Sequence, residues 1–216
     1  ATKGTGFKAS GTCQQCIFDN LHVLVNRVCA EISGVSPCSF RDIQVNQNIE
    51  AGLLIRRGIV SLFGGLYQGN TVPLIHLIPD GPGVITLAMA GTNHCELSSG
   101  QIILGESFSG GFGGNISIMG PLQVFGSNVA PLIDLSGYTV SLHANIGAFN
   151  SPRWIKLRSC IGVVGQQAFY TPEATRYDVD AASHVSWIGP GTVSVGTRQP
   201  GAQDQGVIVD VGSVRV

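Results

Sequence analysis

The sequence predicts an all-β fold, an antiparallel β-sandwich over residues 41–216 preceded by an arm and one short amphipathic helix within residues 1–40. Three observations carry that expectation. Residues 138–148 alternate, with Tyr138, Val140, Leu142, Ala144, Ile146 and Ala148 on one side and Thr139, Ser141, His143, Asn145 and Gly147 on the other. That is the period of a half-buried strand. After Phe149-Asn150-Ser151-Pro152-Arg153 the alternation resumes through Ile155, Leu157, Ile161 and Val163, so the two runs predict an antiparallel hairpin. Finally, Gly, Pro and Asn punctuate the chain every eight to twelve residues from about Arg41 onward, the spacing of many short strands.

Taken in order, residues 1–12 carry glycines and two lysines without periodicity and predict an extended arm. Ile17, Leu21, Leu24, Val28 and Ile32 then fall at spacings of four, three, four and four, a helical stripe with Thr12 as N-cap and Gly34 and Pro37 as its stop. Short apolar runs follow at 53–66, 72–78, 84–90, 101–104, 115–119 and 122–125, then the hairpin, then 193–195 and 207–216. No internal repeat of fixed period is visible. The longest weakly patterned stretch, 165–187, holds a turn at Thr171-Pro172-Glu173 and is where a sandwich would carry a functional loop.

Composition narrows the function classes. A chain of 216 residues can bury a core without a metal or disulfide. Charged residues are 12%, about half the usual ~25%, while Gly, at 30 residues, is near twice its usual ~7%. A surface so poor in charge is hard to keep soluble unless copies of the chain cover it. The net charge of −1 gives no general attraction to nucleic acid. No apolar run approaches the ~20 residues of a membrane span. The chain begins at Ala1 without Met, which reads as a mature product cut from a precursor.

Motifs that could carry chemistry are incomplete. Cys13-Gln14-Gln15-Cys16 with Cys29 and Cys38 has poor zinc spacing and no βαβ context for redox work. Structural thiols are the expectation for these four, with a disulfide and then a metal site as the lesser alternatives, and Cys95 and Cys160 are expected in the core. Thr92-Asn93-His94-Cys95 and Gly105-Glu106-Ser107 lack the spread of a hydrolase triad, and no Gly-x-Ser-x-Gly occurs. Neither Gly110-Gly111-Phe112-Gly113-Gly114 nor Gly64-Gly65 completes a phosphate loop. His22, His76, His94, His143 and His184 are scattered. Asp178 and Asp180 could share a face, and Asn115-Ile116-Ser117 is a glycosylation sequon. Arg56-Arg57, inside an apolar run, predicts a bulge or a paired charge. No enzyme, metal or cofactor is expected.

A Gly-rich β-sandwich with an N-terminal arm and helix, little charge, no catalytic set and the late turn through Ser151-Pro152-Arg153-Trp154 resembles the jelly-roll capsid subunits of small icosahedral, picorna-like RNA viruses. The resemblance spans residues 50–216 and rests on layout. It implies a self-assembling structural coat protein in the virion, built in the host cytoplasm from copies of itself or related coat subunits. It further implies a host receptor as partner and only weak, local contact with the packaged genome. The residues for that contact would be Lys3, Lys8, Arg56 and Arg57. Many plant-virus coats carry an Arg-rich arm, which residues 1–12 lack. The alternative is an extracellular carbohydrate-binding or adhesive β-sandwich, which would account for the sequon and would pair most of its six cysteines.

Overall fold

The structure is a computed structural model. It describes residues 4–11, 15–24, 26–46, 50–70, 73–97, 100–126, 131–143, 146–149, 154–165, 176–180, 182–188 and 209–210. Its strands run β1 (Thr5–Ser10), β2 (Cys16–Asp19), β3 (His22–Leu24), β4 (Val28–Ser33), β5 (Val35–Asn46), β6 (Ala51–Ile55) and β7 (Gly58–Asn70). Next come β8 (Ile75–Leu77), β9 (Ile85–Leu97), β10 (Ile103–Gly105), β11 (Gly114–Ile118), β12 (Leu122–Phe125), β13 (Ile133–Ser136) and β14 (Tyr138–Leu142). The last are β15 (Ile146–Phe149), β16 (Trp154–Arg158), β17 (Ile161–Gly165), β18 (Arg176–Val179), β19 (His184–Ile188) and β20 (Val209–Asp210).

All the strand pairings among the described residues are parallel. The chain alternates between an eight-stranded sheet, β1-β4-β6-β8-β10-β13-β16-β18, and a twelve-stranded sheet holding the others. It therefore winds as a β-solenoid, each coil adding to both sheets. Register partners on neighbouring coils are separated by |i−j| = 23 at Lys8 and Glu31 and by 22 at Asn46 and Gln68. The interval lengthens where Ile75 pairs with Ile103 and Ile103 with Ile133, then shortens again where Ile133 pairs with Ile155.

The long strands of the second sheet turn a corner partway along. β5 bends at Asp42, β7 at Gly64 and β9 at Gly91, while Asn20 separates β2 from β3; all four have positive φ, 52°, 74°, 70° and 53°. Such backbone suits Gly, Asn and Asp. The bends stack: a Cβ on Gly64 would stand 3.0 Å from Asp42 Oδ1, and one on Gly91 would stand 3.1 Å from the Gly64 nitrogen. The corner divides the second sheet into two legs, so the coil presents three outer faces.

The core lies inside the coil. In the first sheet, two consecutive residues point inward before alternation begins, as in Leu74-Ile75-His76-Leu77 and Leu132-Ile133-Asp134-Leu135. Like residues stack on like from coil to coil. Near the start, Phe18 packs edge-on against Phe7 at 4.8 Å and stacks on Phe40 at 5.0 Å.

Several expectations are corrected. The chain is all-β, but it is neither an antiparallel sandwich nor a jelly roll, and the resemblance to picorna-like coat subunits falls with that topology. A strand with one wet and one dry face alternates whether its neighbours run parallel or antiparallel. In a solenoid the inside is dry and the outside wet, so alternation carries no direction. Among the described residues there is no helix. The predicted helical stripe lies in β2, β3 and β4, where Ile17 and Leu24 are exposed while Val23, Val28 and Ile32 are buried. The expected arm contributes β1, paired with β4.

The hairpin dissolves as well. β14 pairs with β11 and β17, whereas Ile155 and Leu157 belong to β16 in the other sheet. Ser159, with φ 50°, turns the chain between sheets and puts Ile161 outside. The coil repeat escaped a fixed-period reading because the coils that pair Ile75 with Ile103 and Ile103 with Ile133 are longer than those before them. Lys3, the 150–153 connection, the Thr171-Pro172-Glu173 turn and the 193–195 run lie outside the described residues.

Candidate binding face

Charge is spread unequally over the three outer faces. On the eight-stranded sheet, register aligns Lys8, Glu31, Leu54, His76, Leu104, Asp134, Lys156 and Asp178 in one column running up the coil axis. Beside it, the ends of these strands place Ser33, Arg56, Ile78, Glu106, Ser136, Arg158 and Asp180. Sequence neighbours do not meet here; residues one coil apart do.

The ion pairs follow from that geometry. Lys8 and Glu31, 23 residues apart, lie 3.2 Å from each other, and Arg56 reaches the same Glu31 carboxylate at 3.5 Å. His76 Nε2 and Glu106 Oε1 are joined by a 2.8 Å hydrogen bond across 30 residues. Arg158 donates to Asp134 Oδ1 at 2.8 Å across 24. Lys156 stands in register between Asp134 and Asp178. Side chains in the inner column have a neighbour above and below, which sinks them: Glu31, His76 and Asp134 keep only 14%, 17% and 10% of their side-chain exposure. The result is an elongated face carrying both donors and acceptors, interrupted in the inner column by Leu54 and Leu104.

The cations proposed for genome contact are not a free basic patch. Lys8 and Arg56 bracket Glu31, and Arg57, in the bend between β6 and β7, pairs with Asp80 at 2.9 Å. Lys3 lies outside the described residues. Arg56 and Arg57 thus each meet a carboxylate, and they sit at a bend instead of inside a strand.

The remaining candidates scatter. His22 and His94 lie on the leg that follows the corner at Asn20, Asp42, Gly64 and Gly91, with Gln44, Gln123 and Gln68. There His94 hydrogen-bonds Glu96 at 3.0 Å and stacks on Phe125 at 4.7 Å. Hydrogen bonds from His94 and then Gln68 hold the Glu96 carboxyl below its ordinary range. His143 and His184 belong to the other leg. Asp180 accepts from the Ser159 N–H and the Ser183 hydroxyl at 2.9 and 2.6 Å, which makes it a bend-former. Asn115 of the sequon is exposed on β11.

Cys29, Cys38, Cys95 and Cys160 are buried thiols, and Cys16 is disulfide-bonded. Cys13 lies outside the described residues. Four of the six cysteines thus stay thiols, whereas an extracellular module was expected to pair most of them. Among the described residues, no three His, Cys, Asp or Glu side chains gather as a metal site, and no helix is long and apolar enough to cross a membrane.

In the sequence Asp134 stands in no motif, Glu106 falls only within Gly105-Glu106-Ser107, Lys156 and Arg158 mark only the polar side of a strand, and His76 is one of five scattered histidines. The usable signal was charge of opposite sign recurring one coil apart. Lys8/Glu31, Arg27/Glu50 and Arg57/Asp80 each have |i−j| = 23, and Asp134/Arg158 has 24. No family model matches the sequence, and no curated protein or solved structure matches it.

Proposed function

We propose that this chain is a binding module that lays the outer face of its eight-stranded sheet along an extended, hydroxyl-rich polymer, a carbohydrate chain. The observation that carries the reading is the concentration of His76, Glu106, Asp134, Lys156, Arg158 and Asp178 on one face of a chain with only 12% charged residues. Parallel strands set neighbouring coils ~4.8 Å apart, so the polar groups repeat along a line. A sugar hydroxyl both donates and accepts, and it can bridge a carboxylate and its cationic neighbour. Because His76, Glu106, Asp134 and Arg158 are already held by one another, these four lose little rotamer freedom on binding. The near balance of charge favours a neutral polymer over a polyanion.

The test is a glycan array probed with the whole chain, followed by titration calorimetry on the best polysaccharide. Glu106→Gln and Lys156→Ala should each weaken binding at least several-fold, with the melting temperature unchanged. Absence of any bound polysaccharide, or binding indifferent to both substitutions, would overturn the reading.

A further inference from the structure

We infer that the disulfide at Cys16 is exchangeable: it passes from Cys13 to Cys38 and so turns a local clip into a staple between the first two coils. Cys16 is disulfide-bonded, while Cys29, Cys38, Cys95 and Cys160 are thiols. Of the six cysteines in the chain, Cys13, outside the described residues, is the one left to be its partner. Only Gln14 and Gln15 stand between them, so that bond closes a short local loop and ties β2 to no other coil.

Register brings a third sulfur alongside. Cys16 on β2 pairs with Cys38 on β5, one coil on. Both face the interior: Cys38 is fully buried, and Cys16 packs half-buried against the same core. Two residues further along these strands Phe18 and Phe40 stack at 5.0 Å, and with a period of two the cysteines stand in the same relation. Neighbouring parallel strands lie ~4.8 Å apart, within the roughly 4.4–6.8 Å that a disulfide spans between Cα atoms. Cys38 is the only thiol among the described residues in register with Cys16, and it has Val60 on its far side.

The exchange is internal. The Cys38 thiol gives up its proton, its thiolate attacks Cys16 Sγ, and the Cys16–Cys38 bond forms as the Cys13–Cys16 bond breaks. The Cys13 sulfur leaves as a thiolate and takes up a proton. One disulfide and one thiol enter the step and one of each leaves it, so it needs no oxidant or reductant. Burial controls the rate. Desolvation pushes the Cys38 thiol up to about 11, so thiolate is scarce at neutral pH and the bond stays where it is. A staple from β2 to β5 closes a longer loop than Cys13–Cys16, and a disulfide stabilises more as its loop lengthens. The first coil, whose Phe7, Cys16 and Phe18 are only half-buried, is where such a staple has most to hold.

The inference does not rest on carbohydrate binding, which uses another face. The whole chain, purified without reductant, is held at pH 7, 8 and 9 with iodoacetamide, capped in acid with N-ethylmaleimide and mapped unreduced by mass spectrometry. Trypsin cuts at Lys8, Arg27 and Arg41 put Cys13 and Cys16 on one peptide and Cys29 and Cys38 on the next. At the start the first peptide should carry its own disulfide. The two peptides linked to each other, with Cys13 alkylated, should then accumulate about tenfold faster per pH unit, as the Cys38 thiolate does below about 11. Cys38→Ala should abolish the linked pair and Cys29→Ala should leave it; if Cys38→Ala misfolds, Cys38→Ser supplies the same readout. A purified chain with all six cysteines free would overturn the inference. So would no linked pair at pH 9, or a linked pair that survives loss of Cys38. Alkylation of Cys95 alongside Cys13 would show that exchange ran through the unfolded chain, which overturns it equally.

Discussion

Asp134 and Arg158 lie 24 residues apart in sequence and 2.8 Å apart in space, on successive coils of the eight-stranded sheet. Asp134 keeps 10% of its side-chain exposure and Arg158 45%. The carboxylate is thus committed to the interior of the face, and the guanidinium reaches over to satisfy it. The same relation, acid and base one coil apart, recurs along this sheet and takes the place of the side-by-side pairs of a hairpin.

Arg158→Ala should therefore destabilise more than loss of an exposed ion pair would. A hydrogen bond to a charged group contributes about 1.5–3 kcal/mol, against about 0–1 kcal/mol for a surface pair. Urea unfolding should show a loss of about 1–3 kcal/mol, and adding Asp134→Asn should recover part of it. A loss under about 0.5 kcal/mol would place the pair among ordinary surface contacts.

Leu142 and Leu157 are both fully buried, one in each sheet. Truncating either to Ala should cost about 2–5 kcal/mol. Chemical denaturation of the two variants checks this, and a cost below about 0.5 kcal/mol, the range of surface substitutions, would contradict the inward placement of that residue.

The stacked bends make an asymmetric prediction. Gly91 has φ 70°, and a Cβ there would stand 3.1 Å from the Gly64 nitrogen. Gly91→Ala should lose about 1–3 kcal/mol. Asp42, at the same bend two coils earlier with φ 52°, should accept Gly with a change within about 1 kcal/mol, since backbone relief and added unfolded-state entropy oppose each other. Thermal unfolding of both variants reads the contrast.

Alkali should weaken the fold in a defined window. Burial pushes the Cys38 thiol from its ordinary 9.0 to about 11 and that of Cys95 to about 12. Burial also raises Cys160 and the phenols of Tyr67 and Tyr138. Below pH 9 folded and unfolded chains hold the same thiol protons. Between pH 9 and about 11–12 the unfolded chain releases protons that the native core retains, so stability falls as pH rises. Denaturation midpoints measured from pH 7 to 11 should decline above 9. Maleimide labelling of Cys38, Cys95 and Cys160 should require unfolding; rapid labelling of the native protein would contradict the buried, protonated state.

Much of the strand content was legible. Residues 138–142, 114–118 and 122–125 alternate in the structure as they do in the sequence. Inward residues such as Tyr138, Val140, Leu142, Ile155 and Leu157 were identifiable from period two alone. The candidate face was not, because its members belong to one another only through register. His76 and Glu106 are 30 residues apart, and nothing between them in sequence marks the pairing.

By itself the sequence determined that this chain is rich in strands and bends and poor in charge, with most apolar positions set by a two-residue period; the helical stripe read through Ile17, Leu21, Leu24, Val28 and Ile32 gave way to strands only in the structure. That much is local: a side chain's alternation and a glycine's permitted φ depend on their immediate neighbours. Only the tertiary structure decided that the strands run parallel, that Ser159 sends β16 and β17 to different sheets, and that Asp134 meets Arg158. Alternation specifies which way a side chain faces and is silent about which strand lies alongside. Partner and direction come from how the whole coil closes around its core, and coils of unequal length conceal that closure from any fixed-period reading.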